Sequence, residues 1–287
     1  MYERHFGLIN KPFALTPDPA FLYLSRQHTM ALTMLEYGLE SQAAFFLLTG
    51  EIGCGKTTLI RHLLRDIGDR VAVGLISNTH PRFQSIHEWA LSALGAPCGT
   101  SEIGRYEALV EAFVSEYAKG RRTLLILDEA QNLSIDVLEE LRLLSNVNSE
   151  TDLVLQILLV GQPELRTTLE RPELRQFAQR VSVQFHLQPL DRAETHAYVR
   201  HRLSIAGGDA ALFEPEAIEL AYVHTNGVPR LLNRLCDMGL VYAFAEGKTR
   251  IDAQLISEIA QEGEGARVGA AAVCDLPVSR TPAHGVA

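Results

Sequence analysis

The sequence predicts an α/β fold, a five-stranded parallel sheet followed by a small all-α domain. Two observations carry that expectation. Short apolar segments alternate with segments of helical period as far as residue 187, the pattern of strands covered on both faces by crossover helices. Beyond Pro189 the strand-like segments stop and helical patterning alone continues.

The candidate strands are 43–49 (AAFFLLT), 71–77 (VAVGLIS), 123–128 (TLLILD), 153–160 (LVLQILLV) and 181–187 (VSVQFHL). Four of the five are near-continuous apolar runs, as parallel strands buried on both faces require. Between them, TTLIRHLLRDI, IHEWALSALG, YEALVEAFVSEYA and SIDVLEELRLLSN repeat their apolar residues at helical spacing. DRAETHAYVRHRLSIAG, EPEAIELAYVHTNG, VPRLLNRLCDMGLVYAFAEG and IDAQLISEIAQE do the same after Pro189. The expected organisation is an N-terminal segment with a first helix over 1–42, a core over 43–189 and a helical lid over 190–262. A tail over 263–287, rich in Gly, Ala and Pro without periodicity, is expected to be disordered.

At 287 residues and 47% hydrophobic content, the chain can bury a sizeable core. Its formal net charge of -9 is no global footprint for nucleic acid or an anionic membrane surface. Cys54, Cys98, Cys236 and Cys274 form no CxxC pair, so neither a zinc site nor a disulfide framework is indicated. No apolar run is long enough to span a bilayer and no export signal opens the chain. The expected location is therefore cytoplasmic.

Residues 50–57, GEIGCGKT, match GxxxxGK[ST] between a predicted strand and a predicted helix, the context that gives the motif its meaning. Such a loop curls its amides toward phosphate oxygens at a helix N-terminus. The phosphate-contacting run comprises Gly50, Glu51, Ile52, Gly53, Cys54, Gly55, Lys56, Thr57 and Thr58, with ATP and Mg²⁺ as the expected ligands. Lys56 is expected to bridge the β- and γ-phosphates, and the Thr57 hydroxyl to meet the metal. Cys54 occupies a variable position and reads as a small spectator, usable as an alkylation probe.

LLIL at 124–127 delivers Asp128 and Glu129 to the carboxyl end of a strand, where open α/β sheets bind ligands. Asp128 is expected to join Thr57 in holding the metal shell, and Glu129 to polarise the attacking water. The fourth strand ends in Gly161, Gln162 and Pro163 beside the acidic strand, which makes Gln162 a candidate to orient that water. Arg171, Arg175 and Arg180 precede the last strand. A guanidinium there is a candidate finger for a neighbouring protomer's γ-phosphate, Arg180 first and Arg175 second. In TNGVPRLLNRL, Pro229 starts a helix and Arg230 sits in its first turn, a candidate to couple that helix to the γ-phosphate.

Several blocks together, FGLINKPFALTPDPAFLYLSRQH, LLTGEIGCGKTTL, LLILDEAQNL, LQILLVGQPEL and TNGVPRLLNRLCDMGL, resemble the ExeA/GspA-type AAA+ ATPases, associated with bacterial secretion and envelope assembly. The resemblance covers nearly all of residues 1–262. It implies an AAA+ core, an N-terminal segment near the adenine, Gln162 as first sensor, Arg230 as second sensor, and ring-forming self-association. It also implies a membrane-bound secretion or polysaccharide-export component as partner. The secretion branch often continues into a membrane span and a periplasmic wall-binding domain, whereas a short tail follows here. The expectation is a cytoplasmic motor or switch that docks on a membrane partner. A weaker resemblance is to AAA+ regulators of transposition, in which ATP controls assembly on DNA. The acidic charge and the lack of a basic arm count against that alternative. A third reading is a scaffold that binds ATP and barely hydrolyses it.

Overall fold

The sheet strands are β1 (Phe45–Gly50), β2 (Val71–Ile76), β3 (Arg122–Leu127), β4 (Leu155–Gly161) and β5 (Val181–Leu187). All pair in parallel, in the order β2-β3-β4-β1-β5. The computed structural model describes residues 1–16, 18–77, 85–99, 101–147 and 153–262. The tail expected to be disordered, 263–287, lies outside them.

Apolar runs form the three inner strands and also the edge strand β2. Along β1 and β4 every residue is buried, and along β3 every residue after Arg122. Successive side chains of a strand point to opposite faces, so each run feeds two cores. Phe45, Leu47, Leu125, Leu127, Ile157 and Leu159 pack with α3 (Ile86–Leu94), α4 (Glu102–Ala118) and α5 (Ile135–Leu144), and with the short helices α6 (Glu164–Leu169) and α7 (Arg175–Ala178). Phe46, Leu48, Leu124, Ile126, Leu158 and Val160 pack with α1 (Arg26–Glu40) and α2 (Lys56–Ile67). Each fully buried Leu or Phe contributes roughly 1.5–3 kcal/mol relative to exposure. The edge strands β2 and β5 are only partly buried, and VSVQFHL alternates accordingly.

One polar residue interrupts the β4 run, and the structure accounts for it. Gln156 is buried, and its amide donates to the carbonyls of Gly38 (3.3 Å) and Ala43 (3.1 Å) at the end of α1. Carbonyls in the last turn of a helix lack intrahelical donors, and here a strand side chain supplies one. Ser25, Ser101 and Ser134 cap the N-termini of α1, α4 and α5, each such cap contributing about 1 kcal/mol.

The described residues divide into two compact units, one within 17–190 with 228–230, the other of 1–16, 191–227 and 231–262. The helical unit contains α8 (Arg192–Ile205), α9 (Pro215–Thr225), α10 (Pro229–Ala245) beyond its first turn, and α11 (253–262). A capping box of Asp191 and Glu194 starts α8.

The expected 1–42 segment divides between the two units. Residues 1–16 join the helices through specific bonds. Arg202 donates to the Pro12 carbonyl, the Ile9 amide to the Ala206 carbonyl (2.8 Å), and the Tyr2 hydroxyl to Asp237. Phe13 stacks edge-on against Phe213. Helix α1 instead packs on the sheet.

Candidate nucleotide site

The loop between β1 and α2 has a backbone that its glycines permit. Gly53 and Gly55 lie at φ +89° and +98°, a region that residues with a Cβ rarely occupy. Gly53 is also held close to residues 228–230. Its carbonyl accepts the Arg230 amide at 3.2 Å, and a Cβ added at Gly53 would stand 2.5 Å from the Arg230 Cβ. The exposed Arg230 side chain is thereby anchored at the loop. Lys56 is buried, and its ammonium donates to the carbonyls of Gly50 (2.6 Å) and Glu51 (3.0 Å).

A residue absent from the sequence-based site also holds this loop. His28 of α1 is buried, with Nε2 3.0 Å from the Cys54 carbonyl and Nδ1 2.9 Å from Ser25 Oγ. A carbonyl only accepts, so Nε2 carries the proton. The helix cap and the phosphate loop are thus joined through one imidazole. LYLSRQH contains the Ser-x-x-His spacing, but nothing local in it points to Cys54.

Cys54 itself is buried, and burial pushes its thiol up to about 11. The spectator reading fits, but the alkylation-probe expectation is corrected, since reagents attack exposed thiolates. Cys98 is the exposed thiol among the described residues.

The Thr57 hydroxyl donates to Asp128 Oδ2 at 3.0 Å, and Asp128 Oδ1 accepts the Glu129 amide at 3.0 Å. A hydroxyl and a buried carboxylate 71 positions apart in sequence are side by side. This all-oxygen pair fits a hard divalent cation that keeps several waters. Glu129 follows in the left-handed region, φ +56°, and is exposed.

Strand order explains why Gln162 meets the acids. β4 lies between β1 and β3, so its carboxyl end falls between the phosphate loop and Asp128-Glu129. Gln162 Nε2 approaches Glu129 Oε2 at 3.4 Å. Gln131, which sequence reasoning did not single out, joins both. Its Nε2 donates to Glu129 Oε2 at 2.6 Å and its Oε1 accepts the Gln162 amide at 3.0 Å. It sits in the 3₁₀ turn Ala130–Asn132 that Glu129 opens.

Of the finger candidates, Arg180 has partners within its own chain. Arg180 Nη1 donates to the Arg142 carbonyl (3.1 Å) and to Ser145 Oγ (2.7 Å), closing the C-terminus of α5 within the same chain. A guanidinium held there by two bonds is a poor choice for reaching another protomer. Arg175 and Arg171 are exposed. His186, on β5, pairs with Thr49 at 3.0 Å, and burial, with the Arg166 and Lys56 charges, holds its imidazole below the ordinary range.

A family model described as an AAA domain matches residues 39–169, a span that includes the phosphate loop, Asp128-Glu129 and Gln162. Over 276 residues the chain is 39% identical to general secretion pathway protein A of Aeromonas hydrophila, a match covering 93% of this chain and 49% of that one. The chain belongs to the ExeA/GspA-type AAA+ family. It spans about half the length of that relative. Solved structures share the fold. The Aeropyrum pernix ORC2 protein in ADPNP-ADP complexes superposes with a TM-score of 0.66 at 19% identity, covering 88% of this chain and 71% of that one. Cdc6p from Pyrobaculum aerophilum gives 0.63 at 18% identity, over 82% and 68%. Likeness at that identity establishes the fold alone.

Proposed function

We propose that this AAA+ chain is a Mg²⁺-dependent ATPase that drives or regulates assembly of a bacterial envelope secretion or exopolysaccharide export system, working as a nucleotide-dependent oligomer. One observation carries the catalytic half. At the carboxyl edge of the sheet, the Thr57-Asp128 pair and the Glu129-Gln162 pair both form, alongside the glycine loop that holds Lys56. The relative's name, general secretion pathway protein A, supports the biological half.

In this reading Lys56 exchanges carbonyl partners for β- and γ-phosphate oxygens, so its loop tightens on the nucleotide. Thr57 and Asp128 hold Mg²⁺, which when bound neutralises charge on those oxygens. Glu129 takes a proton from the attacking water and Gln162 orients that water. Arg230, hung from Gly53, senses the γ-phosphate from within the chain. Arg175 is the preferred finger toward a neighbouring protomer, with Arg180 displaced by its role at α5. The partner is a membrane-bound component of the export machine, and docking on it holds the ATPase peripherally at the inner membrane. No helix among the described residues is long and apolar enough to cross a membrane.

The test is steady-state ATP hydrolysis with Mg²⁺ across protein concentration, with ATP binding measured alongside. Glu129→Gln should bind ATP and lose turnover by about 10²–10⁴-fold, whereas Lys56→Ala should lose binding. A rate per protomer that rises with concentration supports the composite oligomeric site. ATP binding without turnover at any concentration, with or without candidate partner membranes, would replace the enzyme with a nucleotide-dependent scaffold.

A further inference from the structure

One side chain at the acidic strand end has no part in the chemistry proposed above, yet it donates to the proposed base at 2.6 Å. Gln131 is half-buried and uses both ends of its amide. The partners fix which end is which. A backbone N–H only donates and a carboxylate only accepts, so Oε1 faces the Gln162 amide (3.0 Å) and Nε2 faces Glu129 Oε2 (2.6 Å). The flipped amide satisfies neither.

Two features of the fold hold Gln131 in this place. Glu129 adopts φ +56° and ψ +36° at the head of the 3₁₀ turn Ala130–Asn132, which turns the residue two positions later back toward the carboxylate. On the other side, β4 ends in Gly161, where an added Cβ would stand 2.9 Å from Gln131 Oε1 and 3.3 Å from the Gln131 backbone nitrogen. A side chain there would press on the glutamine at its present approach. The amide therefore ties the carboxylate on the β3 side to the backbone of the β4 end that carries Gln162.

We infer that Gln131 is a positioning residue for the reaction, setting the orientation of the Glu129 carboxylate and locking it in register with Gln162. A glutamate on an exposed strand end has several rotamers of similar energy. A general base must instead lie within hydrogen-bond reach of the water it deprotonates, and misplacement by about 1 Å costs on the order of 10²-fold in rate. The charge-assisted bond from Gln131 removes most of that freedom without touching the nucleotide. The inference rests on the ATPase reading above.

The test uses Gln131→Met, which keeps the length and loses both hydrogen bonds, and Gln131→Glu, which keeps an acceptor for the Gln162 amide and loses the donor to Glu129. Steady-state kcat and KM, ATP affinity and thermal midpoint are measured for the wild type and both variants. A positioning role predicts kcat lower by about 10-fold or more in both, with KM and ATP affinity within about 2-fold and little change in midpoint. Single-turnover measurement with labelled ATP then asks whether Gln131→Met lowers the residual rate of Glu129→Gln. Groups acting as a unit are strongly non-additive, so no further loss is expected. Full activity in both variants overturns the inference while leaving the ATPase reading intact. So do parallel losses of KM, affinity and midpoint, which mark a structural role, and so does a Gln131→Glu variant with wild-type kcat. Absence of turnover in the wild type overturns both.

Discussion

Replacing Gly53 by alanine separates two reasons for a glycine in the phosphate loop. The first is backbone conformation, since φ is +89° and the left-handed region costs a residue with a Cβ about 1–2 kcal/mol. The second is contact, since the new Cβ would stand 2.5 Å from the Arg230 Cβ and 3.3 Å from Val228 Cγ1. Neither neighbour is the end of a flexible side chain, and forcing extra volume into a packed site costs typically about 1–3 kcal/mol. The sum is a loss of about 2–5 kcal/mol. Gly95 is the control, because it ends α3 at φ +67°, ψ +22° with nothing within 4 Å of an added Cβ. Gly95→Ala should show the backbone cost alone. Trp89, the single tryptophan, packs against the core of the sheet unit, so its fluorescence in urea reports that unit for both variants. Equal losses would show that residues 228–230 do not press on the loop, and would remove the structural basis for Arg230 as a sensor.

Thiol labelling should follow burial. With the Cys54 thiol near 11, only about 0.1% is thiolate at pH 8, so peptide mapping after brief alkylation should find Cys98 modified and Cys54 intact until the chain unfolds. Cys54 labelled at the rate of Cys98 would contradict the packing. Stability should fall below neutral pH partly through His186. The unfolded imidazole takes its proton near pH 6.5 and the folded one only at lower pH, chiefly because it is buried. In that window the unfolded chain binds more protons, so lowering the pH costs stability. The drop in thermal midpoint from pH 7.5 to 5.5 should be smaller in His186→Gln, and an unchanged drop refutes the assignment. Arg180→Ala should cost about 1–2 kcal/mol through the uncapped end of α5 and leave turnover per folded protomer unchanged. Arg175→Ala should leave stability unchanged and remove the concentration-dependent part of the rate. The reverse pattern would restore Arg180 as the finger.

The candidate site was readable in sequence wherever one short segment carries the chemistry. GEIGCGKT holds its own glycines, lysine and threonine, and LLILDE needs only to be a buried strand to bring two acids to an edge. Pairings between segments were less legible. His28 and Gln131 are ordinary polar residues in LYLSRQH and DEAQNL, and their partners are the Cys54 carbonyl and the Gln162 amide. Backbone groups carry no residue identity, so no sequence pattern announces such bonds. The intrachain partners of Arg180 were equally hidden. A charged residue before an edge strand looks available, and only the end of α5 shows it engaged.

The sequence by itself determined the elements and their class. Short apolar runs alternating with helical periods read as strands and their cover, and a glycine loop at a strand-to-helix junction points to a phosphate site. The tertiary structure decided adjacency. Hydrophobic period specifies which face of a strand is buried but not which strand lies beside it, because any apolar strand pairs with any other through the same backbone hydrogen bonds. The insertion of β4 between β1 and β3 therefore had to come from the packed whole, and it is that insertion which sets Gln162 beside Glu129 and Gln131. The grouping of residues 1–16 with the helices has the same origin, since it depends on carbonyls and aromatic edges meeting about 190 residues apart in the chain.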